Sequence, residues 1–148
     1  MAMKVVSACL AGVHCNWQGK ASPCKKIIDL VAAGKAVPVC PEQLGGLTTP
    51  REPVEQKDDR VFTLTSKDVT DNFQRGAEEG LKIAQLIGCK QAILKARSPS
   101  CGVGAVYDGS FTKQLISGNG IFAQLLKKHG IEVISEEVFC RAVDTTLS

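Results

Sequence analysis

The chain has 148 residues, 44% of them hydrophobic and 22% charged, which suits one domain with a single core over residues 1–148 and argues against extended disorder. The formal net charge is only +3, with Lys and Arg scattered among Asp and Glu, so nothing calls for a nucleic-acid partner. No apolar run approaches the ~20 residues of a membrane span, and Met1 to Lys4 lead straight into a strand-like run rather than a secretory leader, which indicates a cytoplasmic protein.

Residues 4–8 read as a buried strand. Leu10 to Gly19 is a loop with Gly12, Asn16 and Gly19 as turn formers, and it carries Cys15 and Trp17. Ser22-Pro23 predicts a helix start, with Ile27, Ile28, Leu30 and Val31 on its core side and Gly34 as its stop. Residues 36–40 form the second strand. The stretch from Gly45 to Arg60, broken by Pro50 and Pro53, reads as an irregular rim, and Val61 to Thr65 as a short edge strand. Asp68 or Thr70 opens a helix whose stripe is Phe73, Ala77, Leu81, Ala84 and Ile87. Ala92 to Leu94 is another buried strand, and Val103 to Thr112 holds a turn at Tyr107-Asp108-Gly109-Ser110. Helix 121–129, strand 131–134 and a helix capped by Ser135 and running to about Val143 complete the order, leaving a tail over 144–148. Strands alternating with helices define an α/β class: a three-layer, Rossmann-like domain with a mainly parallel sheet.

Seven cysteines in a leaderless chain point to metal, redox or catalytic chemistry before a disulfide framework. Three of them end strand-like runs. Val5-Val6-Ser7-Ala8-Cys9, Val37-Pro38-Val39-Cys40-Pro41-Glu42 and Ile93 to Cys101-Gly102 each combine an apolar run, a cysteine and a nearby Gly or Pro. Ligands in such sheets bind beyond the carboxyl ends of the strands, so Cys9, Cys40 and Cys101 are candidates for one metal-bearing site. Cys15 is a further candidate ligand, whereas Cys24, Cys89 and Cys140 fall on or beside helices and read as packing residues. Only two histidines are present, so the donor set is thiolate-rich, which favours zinc, copper(I) or iron–sulfur without distinguishing them. Glu42, between Pro41 and a glycine pair, is a candidate general base. Ser98 and Ser100 flank Pro99 beside Cys101 as candidate hydrogen-bonding groups. Trp17 is placed to cover the site or to stack a flat ligand, and Arg51 reads as solvated. Gly118-Asn119-Gly120-Ile121-Phe122-Ala123 fits a loose dinucleotide pattern but lies near the C-terminus, far from the first strand turn where that pattern belongs. It reads instead as a helix start with free N–H groups able to take an anion.

Together, Ser7-Ala8-Cys9-Leu10-Ala11-Gly12 with Cys15, Val39-Cys40-Pro41-Glu42 with Gly45-Gly46-Leu47, Pro50-Arg51, Ser98-Pro99-Ser100-Cys101-Gly102 and Tyr107-Asp108-Gly109 resemble the thiouracil desulfidase family. The resemblance runs from about residue 4 to 138. It implies a [4Fe-4S] cluster held by Cys9, Cys40 and Cys101 with one iron open. It also implies Glu42 and a serine of the 98–101 turn, placed at Ser98, as catalytic groups, and non-redox removal of sulfur from a small thiolated substrate such as a nucleobase. The first loop departs from the family pattern: Cys15-Asn16-Trp17-Gln18-Gly19 stands where an Arg-Tyr-Asp-Gly run is expected. A reading of a different class is a non-catalytic, zinc- or thiol-bearing nucleotide-binding module.

Overall fold

Val5-Val6, Ala92-Ile93 and Val133-Ile134 set apolar residues side by side in short strands. A strand turns neighbouring side chains to opposite faces, so such strands need cover on both sides. The computed structural model describes residues 2–146, with side chains through residue 141. In chain order its elements are β1 (Lys4–Ser7), a 3₁₀ turn (Ala8–Ala11), α1 (Lys25–Ala32), β2 (Ala36–Val39), α2 (Pro41–Leu44), β3 (Val54–Lys57), β4 (Arg60–Thr63), α3 (Thr70–Leu86), β5 (Gln91–Leu94), β6 (Ala105–Tyr107), β7 (Leu115–Ser117), α4 (Ile121–Lys128), β8 (Glu132–Ser135) and α5 (Glu136–Thr146).

The four doubly covered strands form an all-parallel sheet in the order β2-β1-β5-β8. One face packs Val5, Ala92, Leu94 and Val133 against Ala77 and Ala84 of α3 and Phe122 and Leu126 of α4. The other packs Val6, Ile93 and Ile134 against Ile27 and Leu30 of α1 and Phe139 of α5. The expected three-layer α/β architecture is therefore present. The chain leaves β1 toward β2 on one side and later returns to place β5 on the other. That reversal opens a crevice beyond the carboxyl ends of β1 and β5, the position where open α/β sheets take ligands.

Several local expectations are corrected. The expected short strand at 61–65 is present as β4, but it pairs antiparallel with β3, which lies inside the stretch expected to be irregular. The expected turn at 107–110 is present, at the start of the hairpin loop joining β6 to β7. Helix α1 begins at Lys25, with Cys24 at its N-cap and Ser22-Pro23 still outside, and Ile28 is exposed. Pro41 occupies the first position of the short helix α2, for which its fixed φ is suited. Helix α5 runs three residues past Val143, and the rest of the expected tail, 147–148, lies outside the described residues. Ser135 does cap α5, its Oγ accepting the Val138 N–H at 3.3 Å.

The helix start at Gly120 is not free to bind an anion. Ile121 N–H donates to the Pro99 carbonyl at 3.0 Å, and the Phe122 and Ala123 N–H groups donate to Ser100 O at 2.9 and 3.2 Å. A Cβ on Gly120 would overlap the Ser100 carbonyl. The glycine thus lets α4 close onto the loop that carries Cys101, and the glycine-rich sequence is a packing device.

Candidate active site

Beyond the carboxyl edge of the sheet lies a cavity of about 580 Å³ whose wall includes Cys9, Cys15, Cys40, Glu42, Ser98, Ser100 and Cys101. Each thiol arrives on its own element. Cys9 sits in the 3₁₀ turn that ends β1, Cys40 is the N-cap of α2 where β2 stops, and Cys101 follows the turn after β5. Cys15 belongs to the first loop and is buried. Among the described residues no three His, Cys, Asp or Glu side chains converge closely enough to hold one metal ion. A single zinc with Zn–S bonds of ~2.3 Å would need its sulfurs within about 4 Å of each other. Thiols spread around one cavity suit instead a group with several metal atoms, each thiolate taking its own. His14 and His129 are exposed and do not line the cavity, so the donor set is sulfur.

Burial dominates the electrostatics of Cys9 and Cys101. It pushes Cys101 up to about 12, against hydrogen bonds from Ser7 and Ser100 that pull it down. It pushes Cys9 up to about 11, partly offset by the Lys95 ammonium. Cys40 goes the other way, to about 7, because the Cys15 thiol hydrogen-bonds to it, and that bond raises Cys15. Two of the three strand-end thiols therefore become thiolates at neutral pH only against a cationic partner, which a coordinating metal supplies.

Beside the thiols runs a polar chain. Ser100 Oγ donates to Glu42 Oε2 at 2.8 Å and lies 3.0 Å from Ser98 Oγ. Ser98 Oγ accepts the Ser100 and Cys101 N–H groups at 3.2 and 3.1 Å, so its own proton is available for Ser100 or for a bound molecule. Ser100 is buried and its hydroxyl is 3.7 Å from Cys101 Sγ. Glu42 Oε1 accepts Arg51 Nε at 2.9 Å and lies 2.9 Å from Arg51 Nη2 in the same ion pair. The Arg51 and Glu42 side chains are only 7% and 11% exposed. Arg51 is thus not the solvated residue its sequence context indicated. Its Nη2 also donates to Cys15 O at 2.9 Å and its Nη1 to Thr48 O at 3.1 Å, which ties the first loop to Glu42.

Sequence reasoning missed the far wall. Tyr107, Phe111 and Lys113 line the cavity from the β6–β7 hairpin, and Glu55 and Leu64 from the β3–β4 hairpin. Glu55 Oε1 accepts the Gly109 and Phe111 N–H groups at 3.0 and 3.1 Å, joining the two hairpins. The one local signal was Tyr107-Asp108-Gly109, which marked a turn without saying where the turn would lie. Trp17 lines the same cavity at its rim, 44% exposed.

A parallel α/β domain with a sulfur-lined cavity at its switch point, and a carboxylate–hydroxyl chain beside the thiols, defines a class of metal-dependent enzymes of small-molecule substrates. Within that class the chain belongs to the 2-thiouracil desulfurase family, whose model matches residues 5–138. It is similar to the uncharacterized protein YbbK of Bacillus subtilis (strain 168), with 42% identity over 90% of this chain and 95% of that one. It also superposes on the solved structure of a [4Fe-4S]-dependent thiouracil desulfidase, TudS, with a TM-score of 0.90 and 38% identity over 100% of both chains.

Proposed function

We propose that this protein is a C–S bond-cleaving desulfidase that hydrolyses a small thiolated nucleobase such as thiouracil to its oxo form, releasing hydrosulfide, in the cytoplasm and with a [4Fe-4S] cluster on Cys9, Cys40 and Cys101. The observation that carries this reading is that three strand-end thiols and the Glu42–Ser100–Ser98 chain face one cavity. When bound, the cluster supplies Lewis-acidic iron with an affinity for soft sulfur.

The reaction exchanges sulfur for oxygen at one carbon: a thiocarbonyl and water give a carbonyl and hydrogen sulfide, with no net electron transfer. Glu42 is the proton acceptor for the attacking water, because Oε2 keeps a lone pair beyond its bond from Ser100 while Oε1 is held by Arg51. Arg51 holds that carboxylate in one orientation. Ser98 offers its proton to the substrate, and Ser100 links Ser98 to Glu42, so that a proton taken from water can be returned toward the departing sulfur. Trp17 and Phe111 flank the cavity with flat apolar surface suited to a planar ring.

The test is anaerobic reconstitution, iron and sulfide analysis, and measurement of hydrosulfide release from thiouracil. Glu42→Gln is expected to keep the cluster and lose ~10²–10⁴-fold in turnover. Alanine at Cys9, Cys40 or Cys101 is expected to lose colour and activity together. A fully loaded, active Cys40→Ala protein would refute the ligand set, and near-normal turnover by Glu42→Gln would remove Glu42 from the base role.

A further inference from the structure

Cys24 and Cys140 lie outside the cavity wall, so an account of them stands apart from the desulfidase reading. They are 116 positions apart in the chain, yet their Sγ atoms are 2.6 Å from each other. Carbon atoms already prefer about 3.5–4.0 Å, and sulfur is larger, so the two sulfurs are well inside ordinary non-bonded contact. A disulfide bond is ~2.05 Å long, and only a small closure separates the pair from it. Both thiols are half-buried, and the backbone around them is held. Lys26 Nζ donates to the Cys140 carbonyl at 3.0 Å, and Phe139 packs in the same apolar cluster as Cys24 and Ile27.

We infer that Cys24 and Cys140 form a reversible disulfide that staples α5 to the start of α1. The staple has a direct neighbour in the site. Cys24 N–H donates to Leu10 O at 2.9 Å, and Ser22 N–H donates to Cys9 O at 2.9 Å. Residues 22–24 therefore form the backing of the turn that carries Cys9, and joining Cys24 to α5 fixes that backing.

The oxidant is a low-molecular-weight disulfide such as oxidised glutathione. The Cys24 thiolate attacks one of its sulfurs and expels the first thiolate, leaving a mixed disulfide. The Cys140 thiolate then attacks the Cys24 sulfur and expels the second. The two protein thiols are oxidised, the one external disulfide is reduced, and the two released thiolates carry away the two protons. Burial and the neighbouring Cys24 push the Cys140 thiol up to about 11 while Lys26 opposes the shift. This order of events uses Cys140 second, when the target sulfur is already beside it.

The experiment equilibrates the full-length protein, as purified under anaerobic conditions, with mixtures of oxidised and reduced glutathione, alkylates the remaining thiols and maps tryptic peptides without reduction. Residues 21–25 and 129–141 are expected as one linked species lacking two hydrogens. Excess reduced glutathione should reverse the link. Oxidation should raise Tm on the order of 10 °C, an effect absent from Cys24→Ser and Cys140→Ala. The inference is overturned if both thiols are alkylated separately at every ratio, if either keeps a glutathione cap or pairs elsewhere, or if the link forms without raising Tm. The wild-type map reads the outcome even where a variant folds poorly.

Discussion

Glu42 and Arg51 meet in the cavity wall, both nearly excluded from water. A buried ion pair is a weak source of net stability, but removing one partner strands the other, at a cost of about 3–5 kcal/mol. Arg51→Met is therefore expected to lower the unfolding free energy by about 3 kcal/mol or more, measured by urea denaturation. Adding Glu42→Gln to that variant should recover part of the loss, because no carboxylate is then left without its cation. A loss below about 1 kcal/mol would mean that water reaches the carboxylate and screens it. Nothing local in the sequence marks this pair. Arginine is mostly exposed in proteins, and Thr49-Pro50-Arg51 carries no sign of a partner nine residues back. The three cysteines, Glu42 and the Ser98–Cys101 turn were legible because each sits where an apolar run breaks.

At the scale of elements, α2 rests on α3 through backbone-to-backbone contact. A Cβ on Gly76 would overlap the Pro41 carbonyl, one on Gly45 would overlap the Asn72 carbonyl, and Asn72 Nδ2 donates to Gly45 O at 2.8 Å. Alanine in place of a glycine inside a helix ordinarily stabilises by about 1 kcal/mol. Here the new methyl meets rigid backbone rather than a movable side chain, and overpacking of that kind costs about 1–3 kcal/mol. Gly76→Ala should therefore destabilise, by net loss in urea unfolding, and should lower turnover because α2 carries Cys40 and Glu42 at its start. A gain in stability would show that α2 can shift freely. The α3 stripe was readable from its period. The hairpins were not: Val54-Glu55-Gln56-Lys57 and Leu115-Ile116-Ser117 are short and mixed in polarity. Two-stranded ribbons of this kind depend on the domain beneath them rather than on their own pattern.

Across the whole molecule, Cys9, Cys40 and Cys101 end β1, β2 and the turn after β5. A group bound to all three ties these strand ends together, and the unfolded chain offers it no equivalent site. Removing it with a chelator under anaerobic conditions should lower Tm by at least about 5 °C relative to the loaded protein. Equal Tm values would show that the three thiols share no ligand. The convergence itself followed from the sequence, since parallel strands linked by helices bring their carboxyl ends to one edge. What faces that edge did not follow, because the chain folds the two hairpins over it by contacts between distant segments such as Glu55 and Phe111.

That division of labour has an evolutionary consequence. The thiols, Glu42 and the serines stand on the sheet ends and on α2, while Leu64, Phe111 and Lys113 reach in from two ribbons outside the main sheet. Inheritance can remodel the ribbons by insertion, deletion or exchange without disturbing a single strand of the central layer. Lineages of this fold can therefore vary the outer wall of the cavity while the thiols, Glu42 and the serines stay put, and sequence drift should accumulate fastest in the stretches 53–64 and 110–113.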